Sequence, residues 1–126
     1  MKQILIIDDD LTLRQSLARF LERSGYQAFT AANGQEGLRL CEEHPIDLVI
    51  TDIFMPDSDG FDVIMNLQHL HPRIKLITIS GGGRTTSESA FFLATTLDLG
   101  AHHALKKPFS HDEILVAVDA LLGKKA

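Results

Sequence analysis

The stretch QILIIDDD, residues 3–10, decides how the rest of the chain is read. Its four successive apolar residues, 4–7, stop abruptly at Asp8, Asp9 and Asp10. A strand with one wet face alternates apolar and polar positions, so a run that is apolar throughout reads as a strand covered on both faces. Residues 50–60, ITDIFMPDSDG, repeat the theme: an apolar run closes on Asp52, and a loop carrying Met55, Pro56, Asp57, Asp59 and Gly60 follows. A strand that ends twice on a bare carboxylate calls for a positive partner.

Working outward, residues 26–30, 48–51, 74–79 and 102–105 join Gln3–Ile7 as short strands, several of them continuously apolar, and helical spacing fills the gaps between them. Leu13, Leu17, Phe20 and Leu21 share one face of the first helix, with Gly25 placed to end it. Asn33 followed by Glu36 starts the second helix, and Ser110 with Glu113 forms a capping box ahead of Ile114, Leu115, Val118, Leu121 and Leu122. Helices are also expected over 62–70, stopped by His71 and Pro72, and over 87–99, stopped by Gly100. Five β/α repeats of this length predict an α/β domain with a doubly wound parallel sheet, right-handed crossovers and helices on both faces.

With 126 residues and 44% hydrophobic content, the chain is read as one domain spanning 1–126 that buries a real core. Twelve basic residues against 17 acidic ones, net −5, supply no broad positive face for duplex nucleic acid, so direct DNA binding by these residues is not expected. The single cysteine, Cys41, forms no internal disulfide and fits a reducing, cytoplasmic compartment. No apolar run approaches the roughly 20 residues that span a bilayer. Only Gly123, Lys124, Lys125 and Ala126 follow the last expected helix, which weakly favours a stand-alone domain without an output module over an excised one.

In a doubly wound sheet, ligands bind at the carboxyl edge of the strands near the point where strand order reverses. The expected strands end at Asp8 and Asp9, at Asp52, at Ser80 and just before Lys107. Carboxylates about 4 Å apart repel by roughly 1 to 4 kcal/mol per pair. Mg²⁺ fits this donor set, because it takes one or two carboxylates, a carbonyl and waters, and still leaves room for a phosphate oxygen. Lys107 adds a fixed positive charge, and the Ser80 hydroxyl adds a hydrogen bond.

The pieces IIDDD, AANGQEGL, DLVITDIFMPDSDG, ITISG and GAHHALKKPF stand in order along the whole chain. Each is weak alone; together they resemble the receiver domain of two-component response regulators. The resemblance implies a flavodoxin-like (βα)5 fold with strand order 2-1-3-4-5. It implies that Asp52 is the phosphoacceptor, charged by a sensor histidine kinase or a histidine phosphotransfer protein, with Ser80 and Lys107 assisting. Asp9 and Asp52 would hold Mg²⁺ directly with the Phe54 backbone carbonyl, and Asp8 would act mainly through water. A cis Lys107–Pro108 bond is implied too. Output would pass to a downstream protein through the fourth helix, fifth strand and fifth helix, in a signalling domain rather than a turnover enzyme.

The chain departs from the family pattern in three places. Ala104 stands where an aromatic switch residue is usual, so a different readout is expected. The segment from Ser80 to Lys107 is longer than typical, and the extra length falls most easily in 81–86, expected to be a mobile loop that orders on phosphorylation. Phe54, two residues past Asp52, points to slow self-dephosphorylation.

Competing readings start from the same residues. Asp8, Asp9 and Asp10 alone also read as a solvated loop with Asp10 as an N-cap, and Asp57, Asp59 and Gly60 as turn chemistry. Gly81, Gly82 and Gly83 lack both the P-loop ending and dinucleotide spacing. His102 and His103, adjacent on a strand, point to opposite faces and chelate poorly. Phe91, Phe92, Leu93 and Leu97 are read mostly as core, with a partner surface as the alternative. The rivals to the receiver reading are a Mg²⁺-dependent aspartyl-phosphate phosphatase or phosphotransferase, whose usual second acid is here Phe54, and a degenerate receiver that binds a partner constitutively.

Overall fold

A computed structural model describes residues 1–55, 58–80 and 86–123. The chain alternates β1 (Gln3–Ile7), α1 (Leu11–Arg23), β2 (Gln27–Ala31), α2 (Gly34–Glu43), β3 (Leu48–Asp52), α3 (Gly60–Leu70), β4 (Lys75–Ser80), α4 (Thr86–Asp98), β5 (His103–Lys106) and α5 (His111–Leu122). The five strands form one parallel sheet in the order β2-β1-β3-β4-β5. A two-residue antiparallel pair, Phe54–Met55 with Ser58–Asp59, leads from β3 into α3. Among the described residues, no helix is long and apolar enough to cross a membrane.

The apolar runs are explained by two cores, one on each side of the sheet. Ile4, Ile6, Ile50, Ile77 and Ile79 face α1 and α5, where Leu17, Leu21, Ile114 and Val118 meet them. Leu5, Ile7, Val49 and Leu76 point the other way, onto Cys41 of α2 and Val63, Ile64 and Leu67 of α3. Period-two alternation assigns neighbouring residues to opposite cores, so positions 4–7 of β1 must all be apolar. Each such side chain, fully buried, contributes about 1.5 to 3 kcal/mol. The second face also carries α4, tied to β4 by a buried hydrogen bond between the Thr78 and Thr96 hydroxyls at 2.8 Å.

The expected caps are present. The Asp10 carboxylate accepts from Leu13 N–H at 3.2 Å, and the Asn33 side chain accepts from Glu36 N–H at 2.9 Å. Ser110 and Glu113 each accept from the other's backbone N–H at 3.1 Å. Gly25, at φ 98°, and Gly100, at φ 120°, occupy the left-handed conformation needed just past α1 and α4.

Four strands lie one residue further along than hydropathy predicts at one end or both. Asp52, Ser80 and Lys106 are polar, yet their backbones remain in the ladder, with Asp52 opposite Ile79 and Ser80 opposite Lys106. At the other end Ile74 is apolar but belongs to a turn, donating its N–H to the His71 carbonyl. Likewise, α3 begins at Gly60 rather than 62, because the short antiparallel pair delivers the chain straight into it. Of the expected long loop, residues 81–85 lie outside the described residues, as do Pro56 and Asp57, while Thr86 opens α4.

The reading of α4 as mostly core needs correction for Phe91, Phe92 and Leu97, while the Leu93 side chain lies outside the described residues. Phe91 is 65% exposed and Leu97 46% exposed, while Thr96 is fully buried. Phe92 is half-buried, with its ring against Phe61. Among the described side chains of this helix the fully buried one is Thr96, held by its hydroxyl pair with Thr78, which hydropathy spacing cannot register. His102 precedes β5 and serves the backbone: its Nδ1 accepts from Leu76 N–H at 3.1 Å. Burial, then the Lys75 charge, pushes this imidazole's pKa down, in keeping with a neutral acceptor.

Candidate functional site

The strand order reverses between β1 and β3, because the chain leaves β1 outward to β2 and returns on the other side at β3. Register sets Ile7 opposite Thr51, so the next residues, Asp8 and Asp52, flank the crevice at the reversal. Asp9 follows in the turn before α1, Ser80 ends β4, and Lys107 leaves β5 with its N–H donating to the Ser80 carbonyl at 2.6 Å. The Lys107–Pro108 bond is cis.

Side chains from three separate strands meet here. Lys107 Nζ donates to Asp52 Oδ2 at 2.9 Å and to Asp8 Oδ2 at 3.2 Å. The other Asp8 oxygen accepts from Asp10 N–H at 2.9 Å. One carboxylate oxygen each from Asp8, Asp9 and Asp52 lies within 4.8 Å of the others. Asp8 is fully buried and Asp52 nearly so, whereas Asp9 is exposed at the mouth. The Ser80 hydroxyl is buried and has no hydrogen-bond partner among the described residues. Phe54 is described through its backbone, which pairs with Asp59.

Asp8 and Asp52 share the Lys107 ammonium while Asp9 adds a third carboxylate at the mouth, so among the described residues acid is in excess here. Burial pushes the Asp8 carboxyl up, outweighing the Asp10 N–H and Lys107 that favour its ionised form, and the Asp52 charge pushes it further. Burial pulls the Lys107 ammonium down, but bonding and attraction to Asp52 and then Asp8 outweigh it and the net direction is up. Lys107 is therefore held charged, mainly by Asp52. A buried, unpartnered hydroxyl costs about 1 to 3 kcal/mol. The acid excess and the waiting Ser80 hydroxyl both suit a ligand with a hard cation and oxygen acceptors.

The sequence-derived residues Asp8, Asp9, Asp52, Ser80 and Lys107 thus gather at one sheet edge, with both Asp8 oxygens accepting hydrogen bonds, from Asp10 N–H and from Lys107. Two features went unanticipated. One is the Thr78–Thr96 bond, two residues along β4 from Ser80; Thr78 lies beside Ala104, the residue in the usual aromatic position. The other is Arg14, which bonds the backbone of the acidic turn. Away from the site, Cys41 is buried with its thiol pushed up to about 11, first by burial and then by Glu42, which makes it a packing residue rather than a nucleophile.

The model of the response regulator receiver domain family matches residues 4–119. The alkaline phosphatase synthesis transcriptional regulatory protein PhoP of Bacillus subtilis is 33% identical, the match covering 98% of this chain and 49% of that protein. Response regulator RR06 of Streptococcus pneumoniae is 34% identical over 96% of this chain and 53% of its own length. The chain thus spans about half the length of the curated relatives it matches. Among solved structures, a response regulator receiver domain protein from Clostridium thermocellum superposes with TM-score 0.88 at 29% identity, covering 98% of this chain and 96% of the other. A CheY-like receiver domain protein from Methanospirillum hungatei gives 0.86 at 31% identity, covering 98% and 95%. With the sheet order, the acidic crevice and the family match in agreement, this chain belongs to the response regulator receiver domains, the signalling domains of two-component systems.

Proposed function

We propose that Asp52 accepts a phosphoryl group from the phosphohistidine of a sensor histidine kinase or phosphotransfer protein. The observation that carries this reading is the grip of Lys107 on Asp52 and Asp8 beside Asp9, at the reversal of the sheet. A carboxylate needs no general base, because it is already ionised at neutral pH. An Asp52 oxygen forms the new bond to phosphorus as the phosphorus–nitrogen bond breaks, and the departing imidazole keeps the electron pair and takes a proton. Lys107 and the Ser80 hydroxyl meet the phosphoryl oxygens, and positioning with charge stabilisation accounts for most of the rate.

The donor set fits Mg²⁺. Asp9, Asp52 and the Phe54 carbonyl would hold it, with Asp8 acting through water, since both Asp8 oxygens already accept hydrogen bonds. Bound there, it would neutralise the carboxylates and the incoming phosphate. A phosphoryl group of roughly −2 charge would then draw Ser80 toward it and shift α4 and β5, changing the face offered to a downstream protein partner. The domain so read is a switch spanning 1–126, with no direct role in nucleic-acid binding for these residues.

Intact-mass analysis after acetyl phosphate and Mg²⁺, with Asp52→Ala beside wild type, tests the reading. Wild type should gain one phosphoryl group and the variant none; an unmodified wild type would point instead to a constitutive binding module. The decay of the adduct, followed with Phe54→Asn alongside, should be slow in wild type and faster in the variant.

A further inference from the structure

Arg14 stands on the first turn of α1, outside every motif quoted above. Its backbone N–H donates to the Asp10 carbonyl at 3.1 Å. Its guanidinium Nη1 donates to the Asp8 carbonyl at 3.1 Å and lies 3.4 Å from the Asp9 carbonyl. All three carbonyls of the acidic triplet therefore end on one residue.

Asp9 is the member of the triplet that depends on this arrangement. The Asp8 carboxylate is fixed by Asp10 N–H and Lys107, and the Asp10 carboxylate by Leu13 N–H. The Asp9 carboxylate has no hydrogen bond or ion pair among the described residues, so its place is set by the backbone that carries it. Repulsion from Asp8 and Asp52 favours swinging that backbone outward. Holding the carbonyls on either side of Asp9 limits rotation of both its peptide planes.

We propose that Arg14 is a positioning residue for the cation pocket, clamping the turn at 8–10 so that Asp9 faces Asp52 before a cation binds. The proposal rests on the Mg²⁺ reading above. Both carbonyls are met by the one nitrogen Nη1, whose two N–H bonds are fixed in the guanidinium plane, whereas a lysine ammonium carries the same charge on a shorter stem and rotates freely. Partners that orient metal ligands commonly contribute 10- to 100-fold in affinity, and a contact made through the backbone belongs at the low end of that range.

The test is the Mg²⁺ dissociation constant of the full chain by calorimetry, for wild type, Arg14→Ala and Arg14→Lys. Arg14→Ala should bind about tenfold more weakly, with Arg14→Lys in between. Melting in chelator should change little in either variant, while the rise in Tm produced by Mg²⁺ shrinks. In an Asp9→Asn background, removing Arg14 should cost much less, because the residue it positions is already disabled. Equal affinity in wild type and Arg14→Ala would overturn the clamp alone. So would wild-type affinity in Arg14→Lys beside a weak Arg14→Ala, which would assign the effect to charge. A wild type that does not bind Mg²⁺ would remove the underlying reading and this proposal with it.

Discussion

The crevice between β1 and β3 and the seam between β4 and α4 both bury polar side chains, and they treat them in opposite ways. In the crevice Asp8 and Asp52 are buried with one shared ammonium, and acid is in excess among the described residues. In the seam Thr78 and Thr96, both fully buried, satisfy each other. Among the described residues the crevice is left with excess negative charge, whereas the seam is neutral and its two hydroxyls are paired. Ser80, two residues from Thr78 on the same strand, has a buried hydroxyl with no hydrogen-bond partner among the described residues.

If that contrast is right, the largest effect should come from removing the crevice's ammonium. Lys107→Ala leaves Asp8 and Asp52 buried without their cation and should destabilise the chelated protein by about 3 kcal/mol in urea unfolding at neutral pH, the low end for a broken buried pair. A change below 1 kcal/mol would mean that the carboxylates are hydrated and the crevice is not the strained region described.

The seam should respond next. Thr96→Val strands the Thr78 hydroxyl and should cost about 1 to 2 kcal/mol, while Thr78→Val with Thr96→Val should recover much of the loss, since replacing both partners can be nearly neutral. Additive losses would show that the two hydroxyls do not act as a pair.

The smallest effect concerns Asp8 and its pH dependence. Its folded pKa lies above the ordinary 3.8, chiefly through burial, so the native state binds more protons than the unfolded chain between 3.8 and that raised value. Its contribution to stability is therefore full below 3.8 and falls as pH climbs through that window. Asp8→Asn removes the fall and relieves one like-charge pair, and should stabilise the chelated protein by about 1 kcal/mol at neutral pH. The gain should vanish in acid. Stabilisation that persists at pH 3 would assign it to something other than charge.

These regions were unequally visible in advance. The crevice was legible because its residues interrupt apolar strands with carboxylates, an interruption that has to be answered by something positive. The seam was hidden, because Thr96 looks like any polar helix residue and the apolar Phe91 and Leu97 beside it suggested the wrong buried face. Arg14 was hidden for a related reason: its bonds go to backbone carbonyls, which leave no trace in side-chain patterning. The one-residue slippage of the strands has the same origin, since Asp52 and Ser80 stay in the ladder through backbone groups that hydropathy does not report.

The order of residues alone determined the alternation of strands and helices, the double coverage of the sheet and the caps at Asp10, Asn33 and Ser110, because these follow from periodicity and from contacts a few residues apart. The tertiary structure decided which groups touch: Lys107 reaches Asp8 across 99 positions of chain, Thr96 finds Thr78, and Arg14 turns its guanidinium to the acidic turn. Such pairings depend on the register of neighbouring strands and the rotation of each helix about its axis, which are settled only when the two cores pack.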